Sequence, residues 1–316
     1  MYNHVLAPDA KVITPYGATE AMPLTLIDGH EILEQTAALT ETGKGLCVGN
    51  PLPDITLKVI KATDEAIPTW DNNLELNPGY IGEIVVKGPI VTRTYLNRPR
   101  QTALAKITEG DAVWHRMGDV GYFDNQGRLW FCGRKKHRVF TDQGILYPVQ
   151  CETIFNRHPD VFRSAVVGTG AACNQRPILV VECKENQHPT NLLDQQRMIM
   201  ELLALGVEYS HTRHIQDILF YDGSFPTDVR HNVKIQREKL AIWAAEQLHL
   251  PQPRGSTQEQ RHTQDSEVSY TGKLNRGVLP AVFGALSLVL GIVASVLLLR
   301  KTRKSNGKTI ASTEKK

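Results

Sequence analysis

The stretch HRMGDVGYFDNQGRLWFCGRKKHRV, His115 to Val139, sets an acid before a turn and a guanidinium after it. Asp124-Asn125-Gln126-Gly127 separates two apolar runs, and its glycine is free to take positive φ, so the segment predicts a β-hairpin. Asp119 and Arg134 then meet at the base of that hairpin. There a carboxylate can accept from two neighbouring hydroxyls while a guanidinium donates back, which suits a vicinal diol. A structural ion pair is the alternative reading of the same two residues. PYGATE, Pro15 to Glu20, offers an aromatic face, a glycine turn, a hydroxyl and a carboxylate. These parts suit stacking on a base, contacting a phosphate and holding Mg²⁺. FPTDVRHNVKIQREKL places Lys234 in a loop entering a basic helix. His211 and His214 lack Cys or acidic partners at metal-binding spacing and read as ordinary surface histidines.

The elements that must position these groups follow from punctuation and periodicity. Asp28 is placed to cap a helix of about ten residues through GHEILEQTAAL, stopped by Gly43 and Gly45. ITLKVIK (Ile55–Lys61) alternates like a strand, and GEIVVKG (Gly82–Gly88) is a short strand between glycines. After Arg134 the texture changes. YPVQCETIFNRH reads as a helix, RSAVVG and RPILVVECK as strands, and Asn191 to about Leu205 as a helix. DILFYD is a further strand, and a last helix runs from Ile235 to about Leu248. This alternation predicts a second, small domain of about 110 residues.

The three chemistry-bearing blocks, in this order and at these spacings, resemble the adenylate-forming superfamily of acyl-CoA synthetases, luciferases and peptide-synthetase adenylation domains. Its Tyr-Gly-x-Thr-Glu pattern matches Tyr16, Gly17, Thr19 and Glu20. Its GD…G-Y-x-D-x-x-G-x-L…G-R pattern matches Gly118, Asp119, Gly121, Tyr122, Asp124, Gly127, Leu129, Gly133 and Arg134. The resemblance implies that Tyr16 stacks on adenine, Gly17 and Thr19 lie at the phosphates, Glu20 binds Mg²⁺, and Asp119 with Arg134 clamps the ribose of ATP. It makes Lys136 the hinge at which a mobile small domain begins. It makes Lys234 the mobile lysine that bridges the substrate carboxylate and the α-phosphate. YPVQCE resembles the helix start of that small domain. RHNVK before the lysine and HRVFTDQGILYP after the hinge depart from the commoner patterns and look most like the olefin-pathway β-lactone synthetases. That subfamily implies a 3-hydroxy fatty acid activated as acyl-AMP and captured by its own hydroxyl. Two alternatives stand beside it: a fatty acid–CoA ligase fragment, and a non-catalytic membrane-tethered module that binds a partner. YTGKLNR, with Lys273, is a second Gly-Lys block, but it abuts an apolar run and Lys234 keeps the family distance from Arg134.

The resemblance implies an α+β chain: residues 1–134 as the β-rich C-terminal portion of the large domain, 135–250 as the mobile α/β domain. The polar segment 251–277 reads as a flexible linker. VLPAVFGALSLVLGIVASVLLL, 278–299, carries no charge, and a helix of that length is about 33 Å long, enough for a bilayer core of about 30 Å. A basic tail, 300–316, follows with seven Lys/Arg and one Glu, so the net charge of +3 is local and the rest is mildly acidic. That excludes a basic nucleic-acid-binding body. The five cysteines show no C-x-x-C pair, which fits a reducing compartment. The expectation is a single-pass C-terminal membrane anchor with the main domain cytoplasmic. The family's Ser/Thr/Gly-rich phosphate loop, T-S-G-T-T-G-x-P-K-G, is not among these residues. The sequence therefore leads us to expect an incomplete or split enzyme that needs an N-terminal half or a partner chain.

Overall fold

The computed structural model describes residue 7 and residues 10–228 and 231–250. The chain divides into two compact units, with the boundary between Lys135 and Lys136 and the short segment Glu41–Gly43 grouped with the second.

The first unit is built on an eight-stranded antiparallel sheet. Its strands are β1 (Ile13–Ala18), β2 (Ala21–Asp28), β3 (Leu46–Pro51), β4 (Thr56–Ile60), β5 (Gly82–Lys87), β6 (Lys106–Glu109), β7 (Ala112–Phe123) and β8 (Leu129–Arg134). The order is β1-β2-β3-β8-β7-β5-β4, with β6 paired to β7. Twelve residues make β7 long enough to serve β6 at its start, β5 through its middle and β8 at its end. Alternation divides β5: Ile84 and Val86 pack with Leu24, Val48 and Leu129, whereas Val85 packs with Ile60, Ile107 and Trp114 on the other face. Trp70 stacks on Trp114 at 4.3 Å. The β7–β8 hairpin turns at Asp124, whose carboxylate accepts from the backbone of Gln126 and Arg128 and from the side chains of Arg128 and Trp130. Gly121 is required by packing: a Cβ there would stand 2.3 Å from the Trp130 carbonyl oxygen.

Asp28 caps a helix, α1, by accepting from the His30 amide at 2.8 Å. The helix is not the regular ten-residue one expected. Gly29–Glu31 leads into a π-helical turn at Ile32–Thr36 and then Ala37–Glu41, which a 3.6-residue pattern does not announce. A short helix, α2 (Pro99–Ala105), precedes β6.

The second unit opens with a small hairpin, β9 (Val139–Thr141) and β10 (Gly144–Leu146), and a helix, α3 (Pro148–Phe155). A three-stranded sheet follows. β11 (Val161–Ala171) and β12 (Asn174–Cys183) are antiparallel, and β13 (Asp217–Phe220) joins β12 in parallel after the crossover helix α4 (Leu192–Val207). Val166, Leu179 and Val181 face Phe155 of α3 and Leu202 of α4. Ala165, Val167, Ile178 and Val180 face Leu240 and Ala244 of the last helix, α5 (Arg237–Gln247). Helices cover both faces, which explains the near-continuous apolar runs of these strands. Lys234 lies in a strand, not in the expected loop: β15 (His231–Ile235) pairs with β14 (Thr227–Asp228), and α5 starts two residues later than the sequence suggested.

The architecture is mixed α and β. Among the described residues no helix is long and apolar enough to cross a membrane, and the segment 278–299, the linker and Lys273 lie outside them. All five cysteines are free.

Candidate active site

Asp119 and Arg134 are register partners across β7 and β8. The Arg134 Nη1 sits 2.8 Å from Asp119 Oδ1, and the Tyr16 hydroxyl donates to Oδ2 at 2.8 Å. The carboxylate is 3% exposed, whereas Arg134 is about a third exposed. Each carboxylate oxygen has two lone pairs, so this acid can accept from further hydroxyls while keeping both neighbours. Burial, and then the Asp119 charge, drive the Tyr16 phenol well above its ordinary range, so it remains a donor.

Tyr16 is buried. Its ring is 5% exposed and belongs to the core with Ala21, Leu24 and Met117, tilted 6.1 Å from Phe131. It falls on the inward side of β1. Gly17 also has a packing reason, because a Cβ there would lie 2.6 Å from the Ala21 carbonyl oxygen, at the irregular step of the β1–β2 pairing.

Thr19 and Glu20 form the turn between these strands, with Thr19 exposed. Glu20 accepts a 2.7 Å hydrogen bond from the Tyr95 hydroxyl, and its carbonyl accepts from Thr92 at 2.9 Å. Burial alone would raise its carboxyl, but the Tyr95 bond and the nearby His115 and Lys106 bring it below the usual range. An ionised carboxylate oxygen donor of this kind fits Mg²⁺, which commonly takes one or two protein carboxylates and fills its shell with phosphates and water. No group of three or more His, Cys, Asp or Glu forms a metal cluster among the described residues, and among the candidate residues Glu20 is the carboxylate that could contribute to such a site.

Lys106 and His115 were not singled out in the sequence, nor was Tyr95. Lys106 donates to the Thr92 carbonyl and hydroxyl and lies 5.7 Å from the Tyr95 ring, and burial lowers it to about 8. His115, 3% exposed, is lowered to about 4, first by burial and then by Lys106. The unfolded imidazole binds its proton near 6.5 and the folded one near 4, so stability is lost as pH falls through that interval. The loss approaches about 3 kcal/mol. Denaturation curves between pH 7.5 and 4.5 are expected to show this acid slope, and His115→Gln to flatten it. An unchanged slope in that variant would remove His115 as its source.

Lys136 and Lys234 belong to the second unit. Lys136 follows directly on the last residue of the first unit, and Lys234 is exposed on β15. The described groups therefore comprise an Asp119–Arg134–Tyr16 constellation, a separate carboxylate at Glu20, and two lysines on the other unit.

No family model matches the chain. Curated relatives do. The olefin beta-lactone synthetase of Xanthomonas campestris is 47% identical over 248 residues, covering 77% of this chain and 44% of that protein. That of Stenotrophomonas maltophilia is 45% identical over 249 residues, with the same coverage. Among solved structures, an amide bond synthetase from Marinactinospora thermotolerans superimposes with a TM-score of 0.57 at 24% identity, over 73% of this chain and 42% of that one. The chain thus spans about half the length of the curated relatives it matches.

Proposed function

The chain belongs to the adenylate-forming superfamily, and from that premise we propose that it is part of an enzyme converting a 3-hydroxy fatty acid to a β-lactone through an acyl-adenylate. The observation that carries the reading is the 47% identity to the Xanthomonas olefin beta-lactone synthetase, which extends through both units. ATP is the co-substrate. The substrate carboxylate attacks the α-phosphorus and pyrophosphate leaves. The 3-hydroxyl oxygen then attacks the acyl carbon, loses its proton, and expels AMP.

This chain's residues take the following parts. Asp119 accepts from the ribose hydroxyls, with Arg134 holding its charge and Tyr16 fixing its orientation. Glu20, kept ionised, would hold Mg²⁺, which when bound neutralises phosphate charge. Lys234 supplies a positive charge to the oxygens that become more anionic during adenylation. Asp119→Ala is expected to raise the Michaelis constant for ATP roughly ten- to a hundredfold, the scale of one charge-assisted hydrogen bond of about 1.5–3 kcal/mol. An unchanged constant would return the pair to a purely structural role.

The reaction is tested in a chimera that joins the part of the Xanthomonas relative outside the match to this sequence. It is offered a plain and a 3-hydroxy fatty acid together, with ATP and CoA. β-Lactone and AMP from the hydroxy acid alone, with CoA untouched, is the expected result by mass spectrometry. Thioester from both acids supports the alternative, a fatty acid–CoA ligase.

A further inference from the structure

The joint between the two units is a single 3₁₀ turn, Lys135–His137, and its residues are tied to different bodies. Lys135 is held by the first unit: its ammonium lies 3.1 Å from the buried Glu83 carboxylate and donates to the Thr63 carbonyl at 2.7 Å. Lys136 and His137 are held by the second: both reach Oε1 of Glu238, at 2.7 and 3.4 Å. Glu238 lies in the first turn of α5, the helix that β15 and Lys234 run into. The neighbouring Arg237 pairs at 2.6 Å with Glu152, whose other oxygen accepts from the Val166 amide at 2.8 Å. Gln236 bonds back to the Pro226 and Thr227 carbonyls of the same hairpin. The entry to α5 is therefore fixed to α3, to β11 and to the joint at once.

We propose that Glu238 is a positioning residue that makes the carboxy-terminal side of the joint and the Lys234 hairpin one rigid piece. Lys234 is then held at a fixed distance from Lys136, the first residue of the second unit. The positioning role rests on the reading of Lys234 given above, whereas the clamp itself does not. Two ties of different kinds flank the link. Glu83 is buried, so salt screens its pairs little, but the Lys136–Glu238 pair is exposed and is screened.

Trypsin can cut this joint after Lys135, Lys136 and Arg138. In the full chain, Glu238→Gln is expected to speed cleavage there about three- to fivefold, the scale of losing one exposed ion pair with its hydrogen bond. Half-molar salt should raise cleavage of the native chain toward the variant's rate and add little to the variant. Lys136→Arg, which keeps both the tryptic site and a cation for Glu238, should stay within twofold of the native rate and remain salt-sensitive. Cleavage unchanged by Glu238→Gln overturns the proposal, as does acceleration spread over the whole chain with a lowered melting temperature. In the chimera, Glu238→Gln should lower kcat for adenylation with the Michaelis constant for ATP unchanged. If Lys234→Ala keeps full activity there, the reading of Lys234 fails, while the proteolysis result still decides the clamp.

Discussion

Glu83→Ala is expected to cost the first unit about 3–5 kcal/mol, the range for leaving one half of a buried ion pair uncompensated. Glu83, on β5, is 1% exposed, and its Oε2 lies 2.7 Å from the Nη2 of Arg116, itself nearly fully buried. Lys135 adds a second cation to the same carboxylate. Removing the acid strands the buried Arg116 charge without its carboxylate and takes from Lys135 its nearest one. Arg116 also donates to the carbonyls of Thr63, Glu65 and Leu104, so it cannot swing out without orphaning three acceptors. A domain of this kind has only about 5–15 kcal/mol in total, so the melting temperature should fall by roughly 10 °C or more. Glu75→Ala provides the contrast. Its pair with Lys58 is partly exposed, and its loss should stay under about 1 kcal/mol. Equal losses in the two variants would show that Glu83 does not hold this region. The cost has a functional side, because Arg116 lies three residues before Asp119 and Lys135 one after Arg134. Glu83 thereby ties β5 to both strands that carry Asp119 and Arg134.

None of that cluster was legible in the sequence, and the reason is physical. Glu83 and Arg116 are separated by 33 residues, and no local pattern marks a charge that will be buried. The β7–β8 hairpin was legible, because Asp124 takes four donors and Gly127 has φ of 76°. The turn alone would set Asp119 opposite Gly133, and the irregular step between Val120 and Gly121, which no sequence pattern marks, brings it opposite Arg134. The strands and helices of the second unit were legible for a related reason, since runs such as Ile178–Val181 are apolar on both faces and bounded by polar turns. The burial of Tyr16 was not legible because a motif records residue types, not the direction in which β1 points them. Lys234 was read into a loop because β14 spans two residues and its pairing is irregular, too little to leave an alternation. The cluster of Tyr95, Lys106 and His115 around Glu20 is assembled from distant segments, and sequence reading had no signal for it.

Lys234→Ala should lower adenylation in the chimera by about 10²–10³-fold, the effect of removing one preorganised group that stabilises developing charge. Lys234 is exposed at the end of β15, where a four-carbon stem can carry its ammonium outward from a backbone fixed by Gln236 and Arg237. If it meets the reacting oxygens only in the transition state, kcat and kcat/KM should fall together while binding of ATP is kept. Lys234→Arg should not rescue, because a planar fork cannot replace a compact point charge at one oxygen. Supplying the acyl-adenylate directly should bypass most of the defect, since ring closure by the 3-hydroxyl needs no new bond at phosphorus. Lys273→Ala serves as the control and should leave the rate unchanged. Pyrophosphate exchange measured on the three variants decides between the lysines: a loss confined to Lys273→Ala would move the mobile cation to that second Gly-Lys block and leave β15 a structural hairpin.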